Sequence, residues 1–212
     1  MDQSTIVMSR VNSLIFAGIL CLVLLSSCSY FLDGDKDKPL VPKPPCFLRT
    51  NLPAHQYFKY SVKNDLVSYS FDLSKHYAMV ANESNGKTSF QKFDLGPLNG
   101  SLYFYAIRFD RQDSLNKLIN RANAEVDQHK IKADRIDFKQ FINRDNKVYG
   151  TFFQLKGDVA TNYQFYLTDS SARFVRGEVL MNCRPNYDSL RPTLDYLGLD
   201  MERMLQSFRW KD

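Results

Sequence analysis

Between residues 135 and 183 the chain runs through four strand-like stretches with only short turns between them. They are Arg135 to Ile142, Lys147 to Leu155, Tyr163 to Thr168 and Arg173 to Cys183. Asn143-Arg144-Asp145-Asn146 and Asp169-Ser170-Ser171-Ala172 supply two of the turns. Connections this short join antiparallel strands, because a parallel pair needs a crossover of about a dozen residues or more. In the third stretch Tyr163, Phe165 and Leu167 share one face, and Gln164, Tyr166 and Thr168 take the other.

Upstream, Tyr57 to Val62 and Leu66 to Leu73 read as a hairpin around Asn64-Asp65. Residues 76–80 and 88–93 are weaker strand signals, separated by the turn-rich Asn82 to Gly86. Gly100 to Phe109 is a stronger one. Two apolar stripes have helical spacing. Leu115, Leu118, Ile119, Ala122 and Val126 form the first, with Asp113 placed to cap it. Leu190, Leu194, Leu197, Met201, Leu205 and Phe208 form the second, beginning near Asp188 with Pro192 in its first turn and Gly198 marking a bend. The expected fold is α+β, an antiparallel β-sheet packed against two main helices. The order of elements resembles the Mog1/PsbP-like layout.

Residues 14–25 are an uninterrupted apolar run behind Arg10. Twelve helical residues rise about 18 Å, short of a hydrocarbon core of roughly 30 Å. A positive flank, a short apolar core and small residues after it make a secretory signal. Leu25-Ser26-Ser27-Cys28 resembles the bacterial lipobox, in which cleavage precedes the cysteine and its thiol takes a diacylglycerol. Residues 1–27 are then a removed signal and Cys28 the lipidation site, with acyl chains holding the protein on a membrane. Cleavage removes Asp2 and Arg10, so the formal charge of +5 is kept. Ser29 in place of Asp after the cysteine favours the outer membrane, facing the periplasm. Residues 28–45 are a tether whose alternating charges and Pro39, Pro42, Pro44 and Pro45 favour an extended path on the order of 50 Å long. Residues 46–212 form a single globular domain.

Little in the chain announces catalysis. His55, His76 and His129 lie far apart, and none has a His or Cys partner at metal-ligand spacing. There is no Gly-x-Ser-x-Gly elbow, Cys-x-x-Cys pair or glycine-rich phosphate loop. No enzyme activity, metal or cofactor is expected. The mild positive charge on an envelope protein points to protein partners or lipid headgroups, with no nucleic acid expected. The 16 Phe and 12 Tyr belong mostly to the core.

Of the four cysteines, Cys21 leaves with the signal and Cys28 carries lipid. Cys46 and Cys183 either form one bridge, stapling the end of the tether to the last strand, or stay two separate thiols. Two Asp-Ser-Leu triplets place Ser114 and Ser189 in a sequence that resembles the O-glycosylation acceptor of Bacteroidota. Both also sit where a helix cap is wanted, and capping is the preferred reading.

The C-terminal half carries a family resemblance. Ile131-Lys132-Ala133-Asp134 through Lys147-Val148-Tyr149-Gly150, Gln164-Phe165-Tyr166-Leu167-Thr168-Asp169-Ser170 and Phe174-Val175-Arg176-Gly177 all bear it. So does Arg184-Pro185-Asn186-Tyr187-Asp188-Ser189-Leu190-Arg191-Pro192, running on to Trp210. Together these resemble the gliding motility lipoprotein GldD family of Bacteroidota. Residues 75–100 depart most from it, and Cys46 stands where a small residue is usual. The resemblance implies a component of the envelope machinery for gliding, coupled to type IX secretion and acting beside other lipoproteins. It brings no catalytic residues to carry over. A membrane-tethered scaffold needs a docking face, and the turn at Pro185, Asn186 and Tyr187, with Tyr166 and Arg176 as neighbours, is the candidate. The competing readings are that Asn186 and Tyr187 merely end a strand and start a helix, and that a sheet–helix cleft carries a lipid or a secreted segment.

Overall fold

The computed structural model describes residues 51–63 and 66–211. The signal 1–27, Cys28, the tether to residue 45, Cys46 and the Asn64-Asp65 turn lie outside the described residues. The element order is β1 (Tyr57–Val62), β2 (Ser68–Ser74), β3 (Ala78–Ser84), β4 (Thr88–Asp94), β5 (Gly100–Arg108), α1 (Gln112–Asp127), β6 (Ala133–Asn143), β7 (Val148–Gly157), β8 (Thr161–Thr168), β9 (Arg173–Met181), α2 (Tyr187–Ser207) and β10 (Arg209–Lys211). The α+β class and the antiparallel pairing are as expected, but the strands divide into two sheets. One has the order β1-β2-β10 and the other β3-β4-β5-β9-β8-β7-β6. From β5 the chain crosses one face of the larger sheet as α1, enters the far edge as β6, and returns strand by strand until β9 pairs with β5.

The smaller sheet and α2 cover the other face. Tyr69 and Phe71 of β2, Phe93 and Phe104 of β4 and β5, Phe165 of β8 and Phe208 meet there, all less than 2% exposed. Their rings stack, tilt or meet edge-to-face at 5.4–6.4 Å, geometries that aromatic quadrupoles prefer. Two glycines make room for this packing. A Cβ on Gly177 would lie 2.3 Å from the Phe165 ring, and one on Gly198 would lie 2.8 Å from the Tyr163 hydroxyl. That hydroxyl donates to the Leu194 carbonyl at 2.8 Å. Gly198 is therefore a close-approach residue for Tyr163.

Local corrections follow from side chains competing for backbone groups. Asp113 does not cap α1. Arg111 occupies that position without a side-chain bond, and Asp113 lies in the first turn, where its charge suits the helix dipole. Asn186 caps α2, accepting from the Ser189 amide at 3.2 Å, so the helix begins at Tyr187, one residue ahead of Asp188. Pro192 falls beyond the first turn and is carried inside the helix. The second helix also ends sooner than its apolar stripe predicts. Ser207 accepts from the Asp72 amide at 2.8 Å, Phe208 turns extended, and Arg209–Lys211 joins β2. Residues 82–84, expected in a turn, extend β3, and the reversal narrows to Asn85, whose Oδ1 accepts from the Lys87 and Thr88 amides.

Candidate functional site

Of the five docking candidates, the structure brings together Tyr166 and Arg176 and places the other three elsewhere. Tyr166 and Arg176 stand directly opposite one another on β8 and β9, on the face crossed by α1. Tyr166 stacks on Phe174 at 5.8 Å, and its hydroxyl accepts from Thr151 at 3.0 Å. Arg176 pairs with Glu125 of α1, lies 3.5 Å from Glu178 and faces the Tyr105 ring at 5.4 Å. Pro185 and Asn186 are exposed and Tyr187 is half-buried, at the start of α2 on the opposite side of the sheet. Here Asn186 is occupied as the helix cap and the Tyr187 amide donates to Asp158 at 2.7 Å. That geometry gives both residues a local structural use.

Around Arg176 a cleft of about 370 Å³ opens between α1 and the sheet. Ile107, Leu118, Ala122 and Phe174 make its apolar part, and Arg121, Glu125, Arg176, Tyr105 and Thr88 its polar part. The helix carries Arg121 and Glu125 one turn apart, so both reach the same opening; they pair at 3.2 Å. Arg121 and Arg176 are matched here by Glu125 and by Glu178 beside the opening, so the charges around the cleft balance. Burial, followed by the charge of Glu178, raises the Tyr105 phenol above its usual range and keeps it a neutral donor. The volume is at the small end for ligand sites and suits one or two side chains of a partner.

A second cluster escaped the sequence reading. Asp200, 2% exposed on α2, accepts from Tyr57 at 2.7 Å and Tyr77 at 2.5 Å, with His55 Nδ1 at 2.7 Å. His55 also stacks on Tyr196 with ring centres 4.0 Å apart. Burial first, and then the Asp200 carboxylate, raises both the Tyr57 and Tyr77 phenols far above the usual tyrosine range. With three groups converging on it, the carboxylate works as a clasp joining the start of the domain to α2. The available signal was Asp200 itself, a charge within the apolar stripe of Leu197, Met201 and Met204.

The remaining candidates are scattered. Ser114 and Ser189 are half-buried in the first turns of α1 and α2. Cys183 is exposed and free, while Cys46 lies outside the described residues. His76 lies 3.3 Å from the Ala54 carbonyl and His129 lies 3.4 Å from Thr161. Among the described residues, no group of three or more His, Cys, Asp or Glu is arranged to hold a metal ion.

Comparison with known families adds the deciding observation: the model of the gliding motility lipoprotein GldD family matches residues 37–210. The chain belongs to the GldD family. Membership spans the whole described domain, including the α1 cleft, the Asp200 clasp and the turn at Pro185, and implies involvement in gliding motility. It also supports a lipid-anchored envelope protein. Among the described residues no helix is long and apolar enough to cross a membrane. No curated protein and no solved structure matches this GldD-family chain, so the Mog1/PsbP-like layout stands as an expectation from element order.

Proposed function

We propose that this GldD-family chain is a non-enzymatic scaffold, anchored through Cys28 to the outer membrane and facing the periplasm. There it docks other envelope lipoproteins of a gliding machinery coupled to type IX secretion. The observation that carries the reading is the α1–sheet cleft, where an apolar floor lies beside Arg176 and Arg121. Arginine beside an aromatic-lined pocket is a usual composition for an interface hot spot. The carrier reading needs a large apolar sheet–helix cleft, and the α1–sheet cleft of about 370 Å³, lined in part by Arg121, Glu125 and Arg176, is small and polar for a lipid or a secreted segment. The turn at Pro185, Asn186 and Tyr187 is a secondary docking candidate, and nucleic acid is not among the proposed partners.

The test places a photo-crosslinking residue at Thr88, in the cleft lining, in the native envelope. Gliding or secretion lipoproteins are the expected products, and Arg121→Glu should remove them. Recovery of a lipid or a secreted chain would move the protein to the carrier class. Labelled fatty acid should enter the wild type and fail to enter Cys28→Ala.

A further inference from the structure

The far edge of the larger sheet carries guarding charges of both signs, Asp134, Arg135, Asp137 and Lys139, yet stays long and partly apolar. β6 is its terminal strand, eleven residues long, and pairs with β7 on one side only. Natural edges are commonly shortened, bulged, interrupted by proline or guarded by charge. β6 contains no proline, its register shift is confined to the Ala133/Arg135 end, and Phe138 and Ile142 stand 69% and 65% exposed. Its two rows of side chains differ. Lys139 lies 3.2 Å from Glu202 of α2 and Phe141 packs on the main core, so odd-numbered residues look toward α2. Phe138 lies opposite Phe153, whose ring meets Tyr166 at 6.3 Å, so even-numbered residues look toward the α1 face.

We propose that β6 pairs antiparallel with β6 of a second copy, about a two-fold axis at Phe138. Residues opposite one another in an antiparallel pair share a face. Centring the axis at Phe138 sets Asp137 opposite the partner's Lys139 and Lys139 opposite the partner's Asp137. The two copies of Phe138 meet on the α1 face, and Ile136 lies opposite Gln140. Moving the axis to Asp137 or to Lys139 brings like charges face to face. At Gln140 no ion pair forms. At Ile136 Arg135 meets Asp137, but the overlap shortens and takes in the register shift. Only the Phe138 axis combines two opposite-charge pairs with the full length of the strand.

The existing partners leave capacity for this pairing. Asp137 is bonded to Arg135 at 2.5 Å and to Lys156 at 2.9 Å, and a carboxylate has about four acceptor positions. Lys139 has three donors, and Glu202 is its one ion-pair partner among the described residues. Pairing along a single strand buries less than the roughly 1,600 Å² of a standard stable interface. The association is accordingly weak for free chains and gains from confinement on a surface, as linked binding sites gain from a high effective concentration.

The experiment is oxidative crosslinking of the full lipidated chain in the native envelope, with Cys46 and Cys183 replaced by Ser. Phe138→Cys should form a covalent homodimer at least tenfold faster than Ile142→Cys, which is similarly exposed but lies opposite Asp134 in this register. In the Phe138→Cys background, Lys139→Asp should slow crosslinking at least tenfold by setting two pairs of carboxylates against each other. Adding Asp137→Lys should restore it. That reciprocal rescue distinguishes pairing from a folding defect, because the double variant carries more changes than the single one. Equal rates for Phe138→Cys and Ile142→Cys overturn the proposal, as does failure of the rescue or capture of a different protein at Phe138→Cys.

Discussion

The two faces of the seven-stranded sheet are built from the same strands yet finished in different ways. On the α2 face, Phe104, Phe165, Tyr163 and Val179 meet a second sheet and a helix, and the seam is closed by buried rings. On the α1 face a single helix sets Leu115 and Ala122 against Phe109 and Phe174. It leaves a cleft at Arg176 on one flank and Phe138 exposed at the far edge. The α2 face has little surface left to offer a partner, whereas the α1 face keeps arginines and apolar groups accessible. Stability should therefore depend chiefly on the first face and recognition on the second.

The sharpest way to break this division is through the aromatic seam. Phe165→Ala removes a ring that fills the space over Gly177, and should cost about 3–5 kcal/mol, read as a lower denaturant midpoint with an unchanged slope. Next in size is the clasp. Asp200→Ala leaves the Tyr57 and Tyr77 hydroxyls and His55 without their shared acceptor, at a cost of about 3 kcal/mol. Asp200→Asn keeps one acceptor oxygen and should recover about half of that in the same measurement. If Asp200→Ala instead unfolds at the wild-type midpoint, the clasp contributes no stability.

The sequence shows these regions unequally, for a physical reason. Local periodicity exposes the apolar stripe of Leu115, Leu118, Ala122 and Val126, and the alternation of Tyr163, Phe165 and Leu167, because each repeats within a few residues. The split into two sheets is hidden: Arg209–Lys211 pairs with Ser68–Ser70, and three residues after a helix carry no alternation to read. Asp113 looks suitable as the α1 cap, but the backbone turns extended at Arg111 first, whereas the reading that Asn186 and Tyr187 start the second helix agrees with the cap at Asn186. Of the docking candidates, Tyr166 and Arg176 share a face because strand register sets them opposite one another. The cleft beside them depends on where α1 comes to rest, and its own short spacing does not encode that.

A smaller effect sits in the β8–β9 turn, which belongs to neither face. Asp169 Oδ1 accepts from the amides of Ser171, Ala172 and Arg173 at 2.9 Å, and Oδ2 from Arg173 Nε at 2.7 Å. Burial pushes this carboxyl upward, but the Arg173 guanidinium and the three amides outweigh it and bring it to about 2. The folded value lies below the ordinary 3.8, so the stabilisation is fully present above about pH 4 and is lost as pH falls toward 2. It amounts to about 2 kcal/mol. Asp169→Asn should flatten the stability-against-pH curve across that window, and an unaltered curve would show that the turn holds without the charge.

The smallest change in stability should accompany the largest change in binding. Arg121 is an exposed member of an i,i+4 pair with Glu125, a kind of contact worth about 0.3–0.5 kcal/mol. Arg121→Glu should therefore move the unfolding midpoint by less than about 1 kcal/mol, while reversing the charge beside the cleft and abolishing capture at Thr88. Arg203 is the matching control on the other face, a half-exposed guanidinium 2.7 Å from Asp72 and set over the Tyr57 ring. Arg203→Glu should cost at least as much stability as Arg121→Glu and leave capture unchanged. Equal loss of capture in both variants would mean that bulk charge, and not the cleft, recruits the partner. Loss with Arg203→Glu alone would move recognition to the α2 face and invert the division between them.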